Sequence, residues 1–229
     1  MHIPDGYLGP ATSAVMYVAM LPIWAAASKI VKKTLKARQV PMLAIGAAFS
    51  FVIMMFNVPI PGGTTGHAVG AVLVAILLGP WSACIAVTVA LVVQALLFGD
   101  GGITAIGANC FNMAFIEVFL GYYLYKLISG SSSITSARRV IAAGIAGYVA
   151  INVAALSAAI MFGVQSLLHK TADGYSLYCP YGLNVAIPTM LAEHMLVFGW
   201  VEAIVTASVV KYIQKQDPSL LEAGAGTPG

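Results

Sequence analysis

The sequence predicts an all-α polytopic membrane protein whose chain crosses the bilayer seven times. Hydrophobic residues make up 60% of the 229 positions and charged residues 8%, with a mean hydropathy of +0.91. A soluble domain carries about 25% charged residues, so this chain lacks the polar surface that water demands. From Gln39 to Gly99 there is no Asp, Glu, Lys or Arg at all. About 20 apolar residues span a bilayer as a helix, so that stretch holds more than one crossing.

Punctuation and apolar runs place the crossings in order. The first runs from about Ala11 to Ile30, and the second from Pro41 to Asn57, ending at the turn VPIPGG. Gly66 to Phe98 is too long for one span and divides at Gly79-Pro80, because proline suits the start of a helix and disrupts its interior. The first half is then a short helix of roughly 20 Å, too short to cross without its neighbours. The remaining spans cover Ile103 to Leu127, Val140 to Leu168 and Leu183 to Tyr212. Residues 1–215 thus form a single transmembrane domain, with 1–10 as a segment ahead of the first span and 216–229 as a flexible tail.

The basic residues test this count. Lys29, Lys32, Lys33, Lys36 and Arg38 follow the first span, Lys126, Arg138 and Arg139 flank the loop after the fifth, and Lys211 and Lys215 follow the seventh. Seven alternating crossings place all of these on one side, with Lys170 alone on the other. The positive-inside bias makes the crowded side the cytoplasm, so the N-terminus faces outward and the tail inward. The start lacks the basic region and small-residue site of a cleaved signal peptide. Cys84, Cys110 and Cys179 form no C-x-x-C pair and read as small core hydrophobes.

This orientation gathers the four histidines toward the outer face. His2 lies in the opening MHIPDGYLGP, His67 at the start of the short third helix in PGGTTGHAVG, His169 in an outer loop, and His194 in the outer half of the last span. Methionine is removed mainly before small residues, so His2 leaves Met1 in place as the owner of the α-amine. A divalent ion held by that amine can displace the amide proton of His2 and bind the nitrogen. The near imidazole nitrogen of His2 then closes a second chelate ring, and His67 is the candidate for the fourth corner. An all-nitrogen tetragonal set suits Ni(II) or Cu(II), whereas Zn(II) prefers a tetrahedron. Proton release on binding makes affinity rise with pH. Taken singly, His2 reads more readily as an incidental tail residue than as a ligand, and His67 can be simply a polar helix start. Their shared side is what favours a metal, and the residues alone leave both readings open.

Other motifs are absent. No G-x-x-x-x-G-K-[ST] loop and no H-E-x-x-H pair occurs, so neither ATP hydrolysis nor zinc proteolysis by this chain is supported. Glu117, Glu193 and Glu202 lie inside predicted spans, where acids are expensive and usually functional. Glu117 has Asn109, Asn112 and Asn152 as candidate hydrogen-bond partners, and helical spacing sets Glu193 and His194 on different faces. A proton-coupled secondary transporter using Glu117 or Glu202 is therefore a second reading, and a metal-dependent membrane enzyme or sensor a third.

MHIPDGYLGP together with NVPIPGGTTGHAVGAVL closely resembles the CbiM/NikM family over nearly the whole chain. These are the substrate-binding S components of energy-coupling factor (ECF) transporters for cobalt and nickel in prokaryotic cell membranes. The resemblance implies a six-helix S-component core with one added N-terminal helix. It also implies that the N-terminal segment tucks into the outer mouth of that core, bringing Met1 and His2 to His67. Asp5, Thr64 and Thr65 are then candidates for orienting the ligands from behind. The implied partners are a transmembrane coupling subunit, two cytoplasmic ATPases and a small accessory membrane protein. The coupling subunit would dock on small residues of the first core helix, where Ala44 and Ala48 lie four apart and allow close helix approach; packing inside the bundle is the competing role for that pair. Cargo is expected to be Ni(II), whose low-spin d8 ion suits a planar field with a deprotonated amide, with Co(II) as the alternative.

Overall fold

The computed structural model of the protein describes residues 1–35 and 39–225. Lys36 and Arg38, counted above among the basic residues, lie outside the described residues. Helix α1 (Pro10–Thr34) begins with proline at its first turn, where the missing N–H would have no helical partner anyway. Its buried residues Ser13, Met20, Ala27 and Val31 recur at intervals of one or two turns. That single stripe faces the bundle, and the rest of α1 is directed outward.

Helix α2 (Val40–Met54) buries only Gly46, Ser50 and Met54. A short antiparallel pair follows, β1 (Val58–Pro59) with β2 (Thr65–Gly66), Val58 opposite Gly66. Helix α3 (Ala71–Leu78) is only eight residues and is buried except at Leu77. It spans about 12 Å at 1.5 Å per residue, shorter than the roughly 20 Å expected. The chain between Gly66 and Gly70 is not helical, because Gly66 is committed to the strand pair and Gly70 turns left-handed at φ +71°. The predicted break is present: Gly79 takes φ +79° and Pro80 starts helix α4 (Pro80–Val93).

Three helices then widen into π-helical stretches. Helix α4 continues as Gln94–Phe98; α5 (Ile106–Asn109) passes through Cys110–Glu117 into α6 (Val118–Ser129). Helix α7 (Ala137–Gly163) is followed by the single turn α8 (Gln165–Leu168), and α9 (Leu183–Glu193) passes through His194–Phe198 into α10 (Gly199–Gln216). Buried alanines and glycines of α7, such as Ala143, Ala146, Gly147, Ala150 and Ala154, let α6, α9 and α10 pack closely around it.

A helix stands at each of the seven predicted places. Among the described residues four are long and apolar enough to cross a bilayer by themselves: Pro10–Thr34, Pro80–Phe98, Ala137–Leu168 and Leu183–Gln216. The chain is a membrane protein. The stretch expected to be a flexible tail instead forms helix α11 (Ser219–Ala225), whose Leu221 is buried in the same apolar cluster as Val72 and Ile76 of α3. Gln214 also donates to the carbonyls of Ile134 and Ser136, joining α10 to the turn before α7. The opposite end of the bundle receives the first nine residues of the chain.

Candidate metal centre

Residues 1–9 have no regular structure, yet Met1, His2, Ile3 and Leu8 are buried. An extended chain in an apolar interior must find partners for its peptide groups, and this one is bonded from two helices and two loops. The Asn109 side chain accepts from Ile3 N (2.8 Å) and donates back to Ile3 O (3.1 Å). Gly102 N also donates to Ile3 O, at 2.9 Å. Cys179 N donates to Tyr7 O (3.1 Å), and Gly9 N donates to the Gln165 side chain (3.0 Å). Asp5 accepts from the backbone of Ile103 (3.1 Å) and Thr104 (2.8 Å). These bonds strap the N-terminus across the end of the bundle.

At the head of the strap the Met1 amine donates to the carbonyl of Thr65 and lies 3.2 Å from Thr65 Oγ1 and 3.1 Å from His67 Nε2. His67 Nδ1 lies 3.1 Å from the Ala68 carbonyl, which can only accept, so the proton sits on Nδ1 and the lone pair of Nε2 faces the amine. His2 is fixed by the same logic. Gln94 Nε2 donates to Phe51 O (3.3 Å), which turns Gln94 Oε1 toward His2 Nε2 at 3.1 Å. Nε2 therefore carries the proton, and Nδ1, the ring nitrogen nearer the backbone, is buried with no hydrogen-bond partner among the described residues. Its neighbour is Asp100 Oδ1 at 3.4 Å. The two imidazoles stack with centroids 4.5 Å apart.

Such a set of donors can bind a cation. Two nitrogens in adjacent corners of a square stand roughly 2.8 Å apart when metal–nitrogen bonds are about 2.0 Å, close to the amine–Nε2 separation of 3.1 Å. Burial lowers the amine from 8.0 to about 5, although Glu193 and Asp100 pull it upward. Burial, then the neighbouring amine, lowers His2 from 6.5 to about 3. The same two causes push His67 well below its usual value. All three nitrogens are thus unprotonated at neutral pH, as metal ligands must be. Among the described residues no three His, Cys, Asp or Glu side chains gather closely enough to hold an ion, so any site here depends on the backbone nitrogens.

The predicted residues divide as follows. Met1, His2, His67 and Thr65 converge, but His67 lies four residues before α3 rather than at its start and is fully buried rather than at a mouth. The Thr64 hydroxyl points to Met190 Sδ at 3.9 Å. Asp5 holds the Ile103–Thr104 turn, its carboxyl kept below its usual value chiefly by the Thr104 hydroxyl bond. Ala44 and Ala48 are exposed on α2, so packing inside the bundle is not their role. Glu193 and His194 do touch, Oε2 to Nδ1 at 2.6 Å, because the flexible glutamate side chain folds across the start of the π-helical turn. Glu117 has no hydrogen-bond partner for either oxygen among the described residues. Its three expected partners are engaged elsewhere: Asn109 with Ile3, Asn112 with Met161 and Asn152 with Tyr148.

Gln94, Asp100 and Gln165 escaped the sequence reading. Their signals were present, a glutamine within an apolar span and the first acid after a long uncharged run.

A family model described as the cobalt uptake substrate-specific transmembrane region, CbiM, matches residues 2–220. The chain is 51% identical over 221 residues to the fused nickel transport protein NikMN of Rhodobacter capsulatus, covering 96% of this chain and 64% of that protein. It is also 51% identical over 223 residues to a probable fused nickel transport protein, LarMN, of Lactiplantibacillus plantarum, covering 96% of this chain and 66% of that protein. The chain thus spans just under two thirds of each of these relatives. A crystal structure of a truncated transition metal transporter superposes with a TM-score of 0.90 at 56% identity, covering 94% of this chain and 99% of that one. These relatives are transport proteins rather than enzymes, and the chain belongs to the CbiM family of metal-transport membrane proteins.

Proposed function

We propose that this chain is the substrate-capturing S component of an ECF-type transporter and that its cargo is Ni(II). The observation that supports the reading is the buried contact of the Met1 amine with the lone pair of His67 Nε2 at 3.1 Å, with the His2 ring stacked on His67 and its Nδ1, 3.4 Å from Asp100, free of hydrogen bonds among the described residues. The amine and Nδ1 belong to adjacent residues, so an ion bound to both encloses the peptide nitrogen of His2. Loss of that one amide proton completes two fused chelate rings, and His67 fills the remaining corner. A flat field with an anionic amide favours d8 Ni(II) over Co(II), and both relatives described above carry nickel in their names. Co(II) is the alternative cargo, supported by the description of the family model.

The seven helices act as seven crossings, with the N-terminal strap on the extracytoplasmic side and the lysine-bearing ends of α1, α6 and α10 in the cytoplasm. The sequence has no G-x-x-x-x-G-K-[ST] motif, and in this reading energy comes from partners: a coupling subunit and two ATPases, with a small accessory membrane protein. The loaded subunit releases its ion inward as those ATPases turn over.

Metal titration of the purified protein with an authentic Met1 tests the site. His2→Ala removes a chelate ring and should weaken Ni(II) binding by at least about a hundredfold, and His67→Ala by at least about tenfold, the range in which loss of one metal ligand or its support falls. Wild-type affinity in either variant would refute the assignment. Preference for Co(II) over Ni(II) in the same titration would change the cargo and leave the site intact.

A further inference from the structure

His67 can meet Met1 only if its own backbone is held, and the chain around it is irregular. On the N-terminal side Gly66 is paired to Val58. On the C-terminal side the strand has ended and α3 has not begun; Gly70 is left-handed and supplies no side-chain cap. The N–H groups of Val69 and Gly70 would there be unsatisfied in an apolar interior. Both instead donate to one oxygen of Glu202, at 2.8 Å and 2.9 Å. Glu202 is fully buried on α10, more than 130 residues away in the chain. Helix α7 packs directly against its stem: a Cβ at Gly147 would lie in van der Waals contact with Glu202 Cγ at 3.4 Å. The Ala68 carbonyl between the two clamped ends receives the Nδ1 proton of His67, so the clamp bears directly on the ring's orientation.

We propose that Glu202 is a positioning residue for metal capture: its carboxylate fixes the Val69–Gly70 turn and thereby aims His67 Nε2 at the Met1 amine. The proposal rests on the site described above, and it gives a role to an intramembrane acid for which a proton relay was the competing reading. Hydrogen bonds from two peptide groups to a buried carboxylate are strong and geometrically exacting, and their loss leaves two buried donors unpaired. Aspartate, one methylene shorter, would not reach both N–H groups, whereas glutamine keeps an acceptor oxygen at the same distance from the backbone. Glu202 also makes α10, which runs on to the lysine-bearing end of the bundle, a direct support of the ligand-bearing segment.

The test is a double-mutant cycle on full-length protein with an authentic Met1, read by Ni(II) titration and by the absorbance of planar nitrogen-bound Ni(II). Glu202→Ala should weaken Ni(II) by about tenfold, and Glu202→Gln should remain within about threefold of wild type, since an acceptor is retained. In a His67→Ala background, Glu202→Ala should change affinity by no more than about twofold, because residues acting through one another are non-additive. Equal losses in both backgrounds, or a Gln variant as poor as the Ala variant, would overturn the proposal. A His67→Ala protein with wild-type affinity would instead refute the site itself. If His67→Ala weakens binding while Glu202→Ala leaves it unchanged, the site stands and the positioning role fails.

Discussion

The proton balance at Met1 and His2 sets how the centre responds to pH. Burial takes the amine from 8.0 to about 5 and His2 from 6.5 to about 3. An undocked N-terminus therefore binds more protons than a docked one between those values, and docking gains stability with rising pH there. Its contribution is complete above about 8, falls as pH drops toward about 5, and falls further as His2 is forced to protonate toward about 3. A consequence follows for loading: at pH 7.5 the amine is already neutral, so Ni(II) needs to displace only the amide proton of His2. Calorimetry in buffers of different ionisation heat should report about one proton released per Ni(II) at that pH. A value near two would mean that the amine is still charged in the apo protein. His2 and His67 were readable from the sequence because their chemistry is local to short motifs. Gln94 and Asp100 were not, since nothing in the sequence says that a glutamine from α4 will turn toward His2.

At the scale of elements, part of the polar interior is carried by π-helical turns. Gln94, Asn112, Glu117 and His194 all lie in such stretches, which are common at functional sites because the widened turn re-aims its side chains. The sequence marked these helices as apolar rods but could not reveal the widening, which tertiary packing decides. It likewise marked the glycines without saying what approaches them. Gly66 leaves room for the Glu193 carboxylate, which would overlap any Cβ there, and Gly102 lies against the backbone of Asp5, whose nitrogen would be 2.3 Å from a Cβ. Gly102→Ala should therefore loosen the strap at Ile3 and Asp5 by about 1–2 kcal/mol. Ni(II) affinity should fall by about tenfold while the helical bundle, followed by thermal unfolding in detergent, stays folded. Unchanged affinity would show that the strap does not position the amine.

For the whole molecule, composition alone established a membrane protein, and proline and glycine punctuation located the long helices to within a few residues. The length of α3 and the docking of α11 escaped it. A β-pair and a buried carboxylate clamp shorten the first, and the second depends on one leucine finding a groove beside α3. The exposed faces carry a prediction of their own. Ala44 and Ala48 are exposed on α2, so Ala44→Leu with Ala48→Leu should preserve Ni(II) binding. If the proposed coupling subunit docks there, the same pair should block co-purification with it and with the proposed ATPases and reduce ATP-driven uptake in vesicles by at least about tenfold, as bulk at a small-residue helix contact does. Normal assembly of that double variant would place the docking surface elsewhere.

Of all these claims, the participation of the α-amine is the most exposed to direct attack, because Met1 is fully buried and its amine lies beside Thr65 and His67. Ni(II) titration of the protein beginning at Met1, beside a version carrying one glycine ahead of it, isolates that group. The account predicts a yellow, diamagnetic complex at one ion per chain for the authentic start, and for the extended protein a loss of at least about a hundredfold in affinity together with loss of that spectrum. Equal affinity and the same spectrum in both proteins would contradict it.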